Sequence, residues 1–127
     1  MENTVEIKST HWDEKNVVIV GAGRQGQAAA RFLISRHVNV TVTDRAPGEK
    51  CAAAIEALSG LPIRWVTGGH PLSLLDEADF VCVSGGADLR QPFLAEAVNR
   101  GIPLLNDTEI FFRSEEHTSE LQSRSAI

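Results

Sequence analysis

The sequence predicts an α/β fold: a Rossmann-like parallel sheet of about five strands with helices on both faces. Three observations carry that expectation. Short β-branched or apolar runs alternate along the chain with amphipathic stretches long enough for helices. The first run, Asn16-Val17-Val18-Ile19-Val20, passes directly into Gly21-Ala22-Gly23-Arg24-Gln25-Gly26, a spacing that suits a strand, a tight turn and a helix around a diphosphate. The second run closes on an acid, Asp44, where an acceptor for ribose or base belongs in such a fold.

The elements follow in order. Residues 1–15 read as a polar leader, with Trp12 as a candidate to pack on the domain. After the first strand and the glycine turn, Ala28, Ala29, Phe32 and Leu33 supply an apolar helical stripe. Val38 to Thr43 is β-branched at nearly every position and reads as the second strand. Arg45-Ala46-Pro47-Gly48 is a turn by composition. Glu49 to Leu58 reads as a helix with Ala52, Ile55 and Leu58 inward, stopped by Ser59-Gly60. Ile63 to Val66 is a short third strand, Thr67 to Pro71 a loop, and Leu72 to Glu77 at most a short helix.

Phe80-Val81-Cys82-Val83 reads as a buried fourth strand ending at Ser84-Gly85-Gly86. Gln91 to Arg100 is amphipathic, with Phe93, Leu94, Ala97 and Val98 apolar, and Gly101 is its natural stop. Ile102 to Leu105 supplies the fifth strand, and Asp107 is placed to cap a further helix through Phe112. The domain therefore runs over 16–112. From Arg113 to Ser123 the chain resembles the in-frame translation of a common sequencing-library adapter, so 113–127 is expected to be a non-native tail.

Composition narrows the classes of partner. A chain of 127 residues is one domain with room for a core, and its net charge of −5 without a lysine–arginine cluster argues against nucleic acid. No apolar signal segment and no run of membrane-spanning length is present in the 127 residues, so a cytoplasmic protein with no membrane partner is expected. The two cysteines, Cys51 and Cys82, are expected to be reduced core thiols. His11, His37, His70 and His117 show no metal-ligand spacing. Asp76, Glu77 and Asp79 read as a solvated helix end and the start of a strand.

The candidate site gathers at the carboxyl ends of the strands. Gly21 permits the turn, Gly23 leaves backbone bare for a phosphate, and Gly26 lets the helix lie close on the sheet. Arg24 and Gln25 sit at the helix start, where N–H groups and the dipole favour an anion. Asp44 is an acceptor for ribose hydroxyls or a base N–H, or else a plain turn cap. Ser84, Gly85 and Gly86 would let a flat base or sugar lie against backbone, or form a flexible βα turn. His70 stands either toward a substrate or as a loop histidine.

Taken together, Asn16 to Gly26, the helix through Leu33, Val40 to Asp44, Ala78 to Gly86, and Arg100 to Pro103 with Asn106 to Phe111 resemble the N-terminal domain of Mur ligases, nearest to the D-glutamate-adding branch. That resemblance implies a domain that holds the UDP end of UDP-N-acetylmuramoyl-L-alanine. It puts Arg24 and Gln25 on the diphosphate, Asp44 and Arg45 on uracil, and Ser84 and Gly86 on the uracil side of the pocket. It further implies that ATP and Mg²⁺ bind a central domain, that D-glutamate binds a third, and that the enzyme is a monomer.

The chain departs from the family in two places: Ser84-Gly85-Gly86 stands where Ser-Pro-Gly is common, and Arg45 directly follows the acid. No GxxxxGK[ST] phosphate loop occurs in the sequence, so no ATP cofactor site and no catalytic residue is expected within it. The same glycines and Asp44 also suit NAD(P) in an oxidoreductase or a nucleotide-sensing module. The Ser84 loop and the Asn106 to Phe111 segment favour the ligase.

Overall fold

The computed structural model describes residues 14–83 and 89–106. The expected leader up to residue 13, the Ser84-Gly85-Gly86 loop, the helix after Asp107 and the tail lie outside them. Among the described residues, five strands form one all-parallel sheet: β1 (Asn16–Val20), β2 (Asn39–Asp44), β3 (Ile63–Thr67), β4 (Phe80–Val83) and β5 (Leu104–Asn106). Their spatial order is β3-β2-β1-β4-β5. The chain builds outward from β1 to β3 and then returns to the other side of β1. That reversal leaves a crevice between β1 and β4 at their carboxyl ends, where open α/β sheets take ligands.

β1 is apolar at four consecutive positions because both of its faces are covered. Val17 and Ile19 point to one face, with Val40, Val42, Cys82 and Leu105 from the neighbouring strands. Helix α1 (Arg24–Ser35) closes that face with Ala29, Ala30 and Leu33. Val18 points to the opposite face with Val81 and Val83. There, α3 (Pro92–Asn99) packs Phe93, Leu94 and Ala97, beside Leu74 and Leu75 of a 3-10 turn at Leu72–Leu75. Cys51 and Cys82 are both buried thiols outside any disulfide, as expected.

The phase of two helices differs from the sequence reading. In α1 the buried stripe is Ala29, Ala30 and Leu33, while Ala28 is exposed. Close contact of Gly26 with the turn sets this rotation, since residues three, four and seven places later then face the sheet. Between β2 and β3 the chain opens as a 3-10 turn (Gly48–Cys51), followed by α2 (Ala52–Ala57). Cys51, Ala54 and Leu58 face inward with helical spacing, Ile55 is half-buried, and Ala52, expected inward, is exposed. The last strand begins two residues later than expected, at Leu104, and Val98 on α3 is 56% exposed.

Candidate functional site

The glycine turn is held from three directions. Gly21, at φ +104°, donates its N–H to Thr43 O at 2.7 Å, so the chain leaves β1 while still bonded to β2. The Ala22 N–H donates to Asp44 Oδ2 at 2.7 Å, and Gln27 Nε2 donates to Ala22 O at 3.1 Å. Gly26 fits because it has no side chain: a Cβ there would stand 2.2 Å from Gly21 O and 3.3 Å from the Ile19 side chain. Close helix–sheet contact is therefore a packing requirement at this position, as the sequence suggested.

Gly23 is a different case. It occupies the N-cap of α1 at φ −76°, a conformation open to any residue, and a Cβ there would meet nothing within 4 Å. Neither backbone strain nor packing demands glycine at 23. Beside it, α1 begins without a side-chain cap and without an acid in its first turn. Its first N–H groups have no intrahelical acceptors, and its dipole presents positive charge there. A cavity of about 210 Å³ opens at this point, lined by Gly21, Gly23, Arg24 and Gln25 and by the strand ends Val20 and Val83. Gly26 reaches it too, so five of the residues singled out from sequence come together at the β1–β4 crevice.

Asp44 lies on the far side of the turn. Its Oδ2 takes the Ala22 N–H and its Oδ1 takes the Ala46 N–H at 2.8 Å. The carboxylate is thus a turn cap, the plainer of the two roles open to it from sequence, and it also braces the glycine turn. Each oxygen keeps a further lone pair for a ligand donor. Arg45 follows as an exposed cation in the turn. Ser84, Gly85 and Gly86 lie outside the described residues.

A second polar cluster was not assembled from sequence. Thr43 is fully buried on the opposite face from Asp44, and its hydroxyl donates to Gly69 O at 2.8 Å. His70 Nδ1 lies 3.0 Å from the same hydroxyl oxygen, and its ring packs tilted against Phe93, with centroids 5.6 Å apart. Backbone bonds complete the tie: the Gly69 N–H donates to Asp44 O and the Gly68 N–H to Ala46 O. Burial pushes the His70 imidazole below its usual range; Asp44 pulls it up and Arg45 down. The signal available in sequence was a Gly-Gly-His loop following a strand, on the same edge as the glycine turn.

Residues 15–106 match the family described as Mur ligase MurD-like, N-terminal domain. The chain belongs to that family. Two curated relatives show the same correspondence. The UDP-N-acetylmuramoylalanine--D-glutamate ligase of Exiguobacterium sibiricum is 33% identical over 108 residues, covering 85% of this chain and 24% of the relative. That of Streptococcus equi subsp. zooepidemicus is 38% identical over 105 residues, covering 81% and 23%.

The MurD-like domain thus spans about a quarter of the length of the relatives it matches. Among solved structures, shikimate dehydrogenase from Aquifex aeolicus aligns with a TM-score of 0.56 at 17% identity, covering 87% of this chain and 49% of the other. That likeness shows the shared Rossmann-like fold. Among the described residues of the MurD-like domain, no helix is long and apolar enough to cross a membrane.

Proposed function

We propose that this MurD-like domain holds the uridine diphosphate end of UDP-N-acetylmuramoyl-L-alanine for an ATP-dependent ligase that adds D-glutamate in peptidoglycan synthesis. The observation that carries the reading is Gly23, a glycine the fold does not need, at the open start of α1 and at the mouth of the cavity. A bare backbone there suits close approach of a diphosphate, with first-turn N–H groups donating to its oxygens. Arg24 and Gln25, exposed on the same turn, add a cation and an amide to that anion site. The remaining lone pairs of Asp44 accept from uracil or ribose, with Arg45 beside the base, and Ser84, Gly85 and Gly86 complete the uracil side.

The relatives' name supplies the reaction class, ligation of UDP-N-acetylmuramoylalanine to D-glutamate. In this reading, residues 16–112 form a substrate handle without catalytic groups of their own. ATP, Mg²⁺ and D-glutamate bind elsewhere in a cytoplasmic, monomeric enzyme that contacts neither nucleic acid nor membrane.

The test is calorimetric titration of the chain with UDP-N-acetylmuramoyl-L-alanine, UDP and NADH side by side. Saturable heats are expected from the two uridine ligands, and Gly23→Ala should weaken both about tenfold or more by placing a methyl on the phosphate path. Tight NADH binding without a UDP response would overturn the reading in favour of a dinucleotide module.

A further inference from the structure

Thr43 has one hydroxyl proton, and Gly69 O takes it. The 3.0 Å contact between Thr43 Oγ1 and His70 Nδ1 can then be a hydrogen bond only if Nδ1 carries a proton and donates it. This fixes the tautomer: Nδ1 is protonated, and Nε2 of the neutral ring is an acceptor. It also fixes the ring's direction. The two nitrogens of an imidazole point nearly opposite ways, so with Nδ1 turned to a fully buried threonine, Nε2 is turned away from that threonine.

The ring is further confined by Phe93 near the start of α3 and by the backbone ties from Gly68 and Gly69 to the segment that carries Asp44. Among the described residues, Nε2 makes no hydrogen bond, and the charged group Arg45 lies near enough to lower the ring's pKa. The half-buried imidazole therefore presents one oriented acceptor at the carboxyl edge, on the opposite face of the sheet from the Asp44 carboxylate.

Resting on the uridine-diphosphate reading above, we propose that His70 Nε2 is a specificity-determining acceptor of the nucleotide site, taking a hydrogen bond from an N–H or O–H donor of the bound nucleoside. Three donors of a uridine nucleotide have this chemistry: the imide N–H of the base and the two ribose hydroxyls. A backbone-held imidazole loses little side-chain entropy on binding, and a nucleoside lacking the matching donor leaves Nε2 facing it unpaired.

The experiment uses the 127-residue chain and its His70→Asn and His70→Gln variants, titrated with UDP, N3-methyl-UDP, 2′-deoxy-UDP and 3′-deoxy-UDP. Asparagine can keep the donor to Thr43 but lacks the outer acceptor, whereas glutamine can place its carbonyl oxygen near the Nε2 position. Thermal melts establish that each variant is folded. UDP affinity is expected to fall about five- to tenfold in His70→Asn and to be recovered largely in His70→Gln, the scale of one neutral hydrogen bond. One analogue should bind the native chain more weakly than UDP by a similar factor and lose that penalty in His70→Asn: N3-methyl-UDP if the donor is the imide, 2′-deoxy-UDP or 3′-deoxy-UDP if it is the corresponding hydroxyl.

A variant-free reading comes from the ring nitrogens by NMR, where the unprotonated Nε2 resonance should shift upfield on adding UDP. UDP affinity unchanged in folded His70→Asn, an analogue penalty that persists in it, or an Nε2 resonance indifferent to UDP would each overturn the assignment while leaving the diphosphate site standing. Absence of UDP binding by the native chain would instead overturn the reading on which it rests.

Discussion

Gly26 and Gly23 stand three residues apart in one turn, and the structure assigns them opposite sensitivities. In Gly26→Ala the new Cβ falls 2.2 Å from Gly21 O and 3.3 Å from both Gly21 C and Ile19 Cγ2. The nearest obstacle is backbone, held by the Gly21 N–H bond to Thr43 O, so no side-chain rotation relieves it. Restoring an ordinary contact takes about 1 Å of displacement, either of α1 from the sheet or of the turn from β2. Overpacking of this kind costs about 1–3 kcal/mol, and a backbone obstacle places it at the upper end. Alanine offsets about 1 kcal/mol of that through its better helix propensity. The expected net loss is about 2 kcal/mol, or about 8–16 °C in Tm for a domain of this size.

Gly23→Ala meets nothing within 4 Å at an allowed φ. Its poorer N-cap and its reduced unfolded-state entropy nearly cancel, so stability should stay within about 0.5 kcal/mol. Urea denaturation and UDP titration of both variants separate the two effects. Gly26→Ala should lose stability first, whereas Gly23→Ala should stay folded and lose ligand. A Gly26→Ala domain as stable as the native one would refute the close-contact argument. A Gly23→Ala domain that binds UDP normally would remove the phosphate from that turn.

Other perturbations probe the ties around this turn. Thr43→Val leaves Gly69 O and the His70 Nδ1–H without their partner in a buried setting and should cost about 1–3 kcal/mol in urea denaturation; a loss under about 0.5 kcal/mol contradicts the two hydrogen bonds given to the Thr43 hydroxyl. Asp44→Ala should weaken uridine ligands by about 1–3 kcal/mol and lower Tm as well, because the Ala22 and Ala46 N–H groups lose their acceptor; unchanged affinity takes Asp44 out of the ligand site. Burial depresses the His70 pKa, so below its unfolded value of about 6.5 the unfolded chain binds the extra proton and stability falls as pH falls toward the folded value. The slope of Tm between pH 7.5 and 5 should therefore be shallower in His70→Asn, and equal slopes would contradict the depressed value. Burial, and secondarily Asp44, holds the Cys51 thiol above its usual range, and Cys82 is 3% exposed. Neither should react with a thiol reagent at pH 8 until denaturant is added, and rapid stoichiometric labelling would refute that.

Local patterns made most of the elements legible. The β-branched runs, the glycine turn and the stops at Gly60 and Gly101 each depend on neighbours a few residues away, and the strands fall within two residues of their expected bounds. Strand order was not legible, because periodicity does not say on which side of β1 the fourth strand returns. Helix phase was lost for a related reason. Ala28, Ala29 and Ala30 are alike to a hydrophobic pattern, and only contact of Gly26 with Gly21 decides which of them face the sheet. The anion end of the site could be read because its chemistry sits in six consecutive residues. The Thr43–His70 pair spans 27 positions and depends on β2–β3 register, which brings Asp44 opposite Thr67 and the Gly68-Gly69-His70 loop over Thr43.

The long-range ties also bear on how the site binds. Asp44 is bonded to the turn after β1 and to its own turn after β2, while the loop after β3 is bonded to both Thr43 and the Asp44 segment. Three separate connections at the carboxyl edge are thus fixed to one another by side-chain and backbone hydrogen bonds. Such a site gives up its conformational entropy on folding, so a nucleotide entering it orders few protein groups and keeps more of its gross interaction energy as affinity. The same arrangement makes stability and binding separable only at positions that hold no tie. Gly23, where an added methyl meets nothing within 4 Å, is such a position, and a substitution there should change affinity while leaving the melting curve in place.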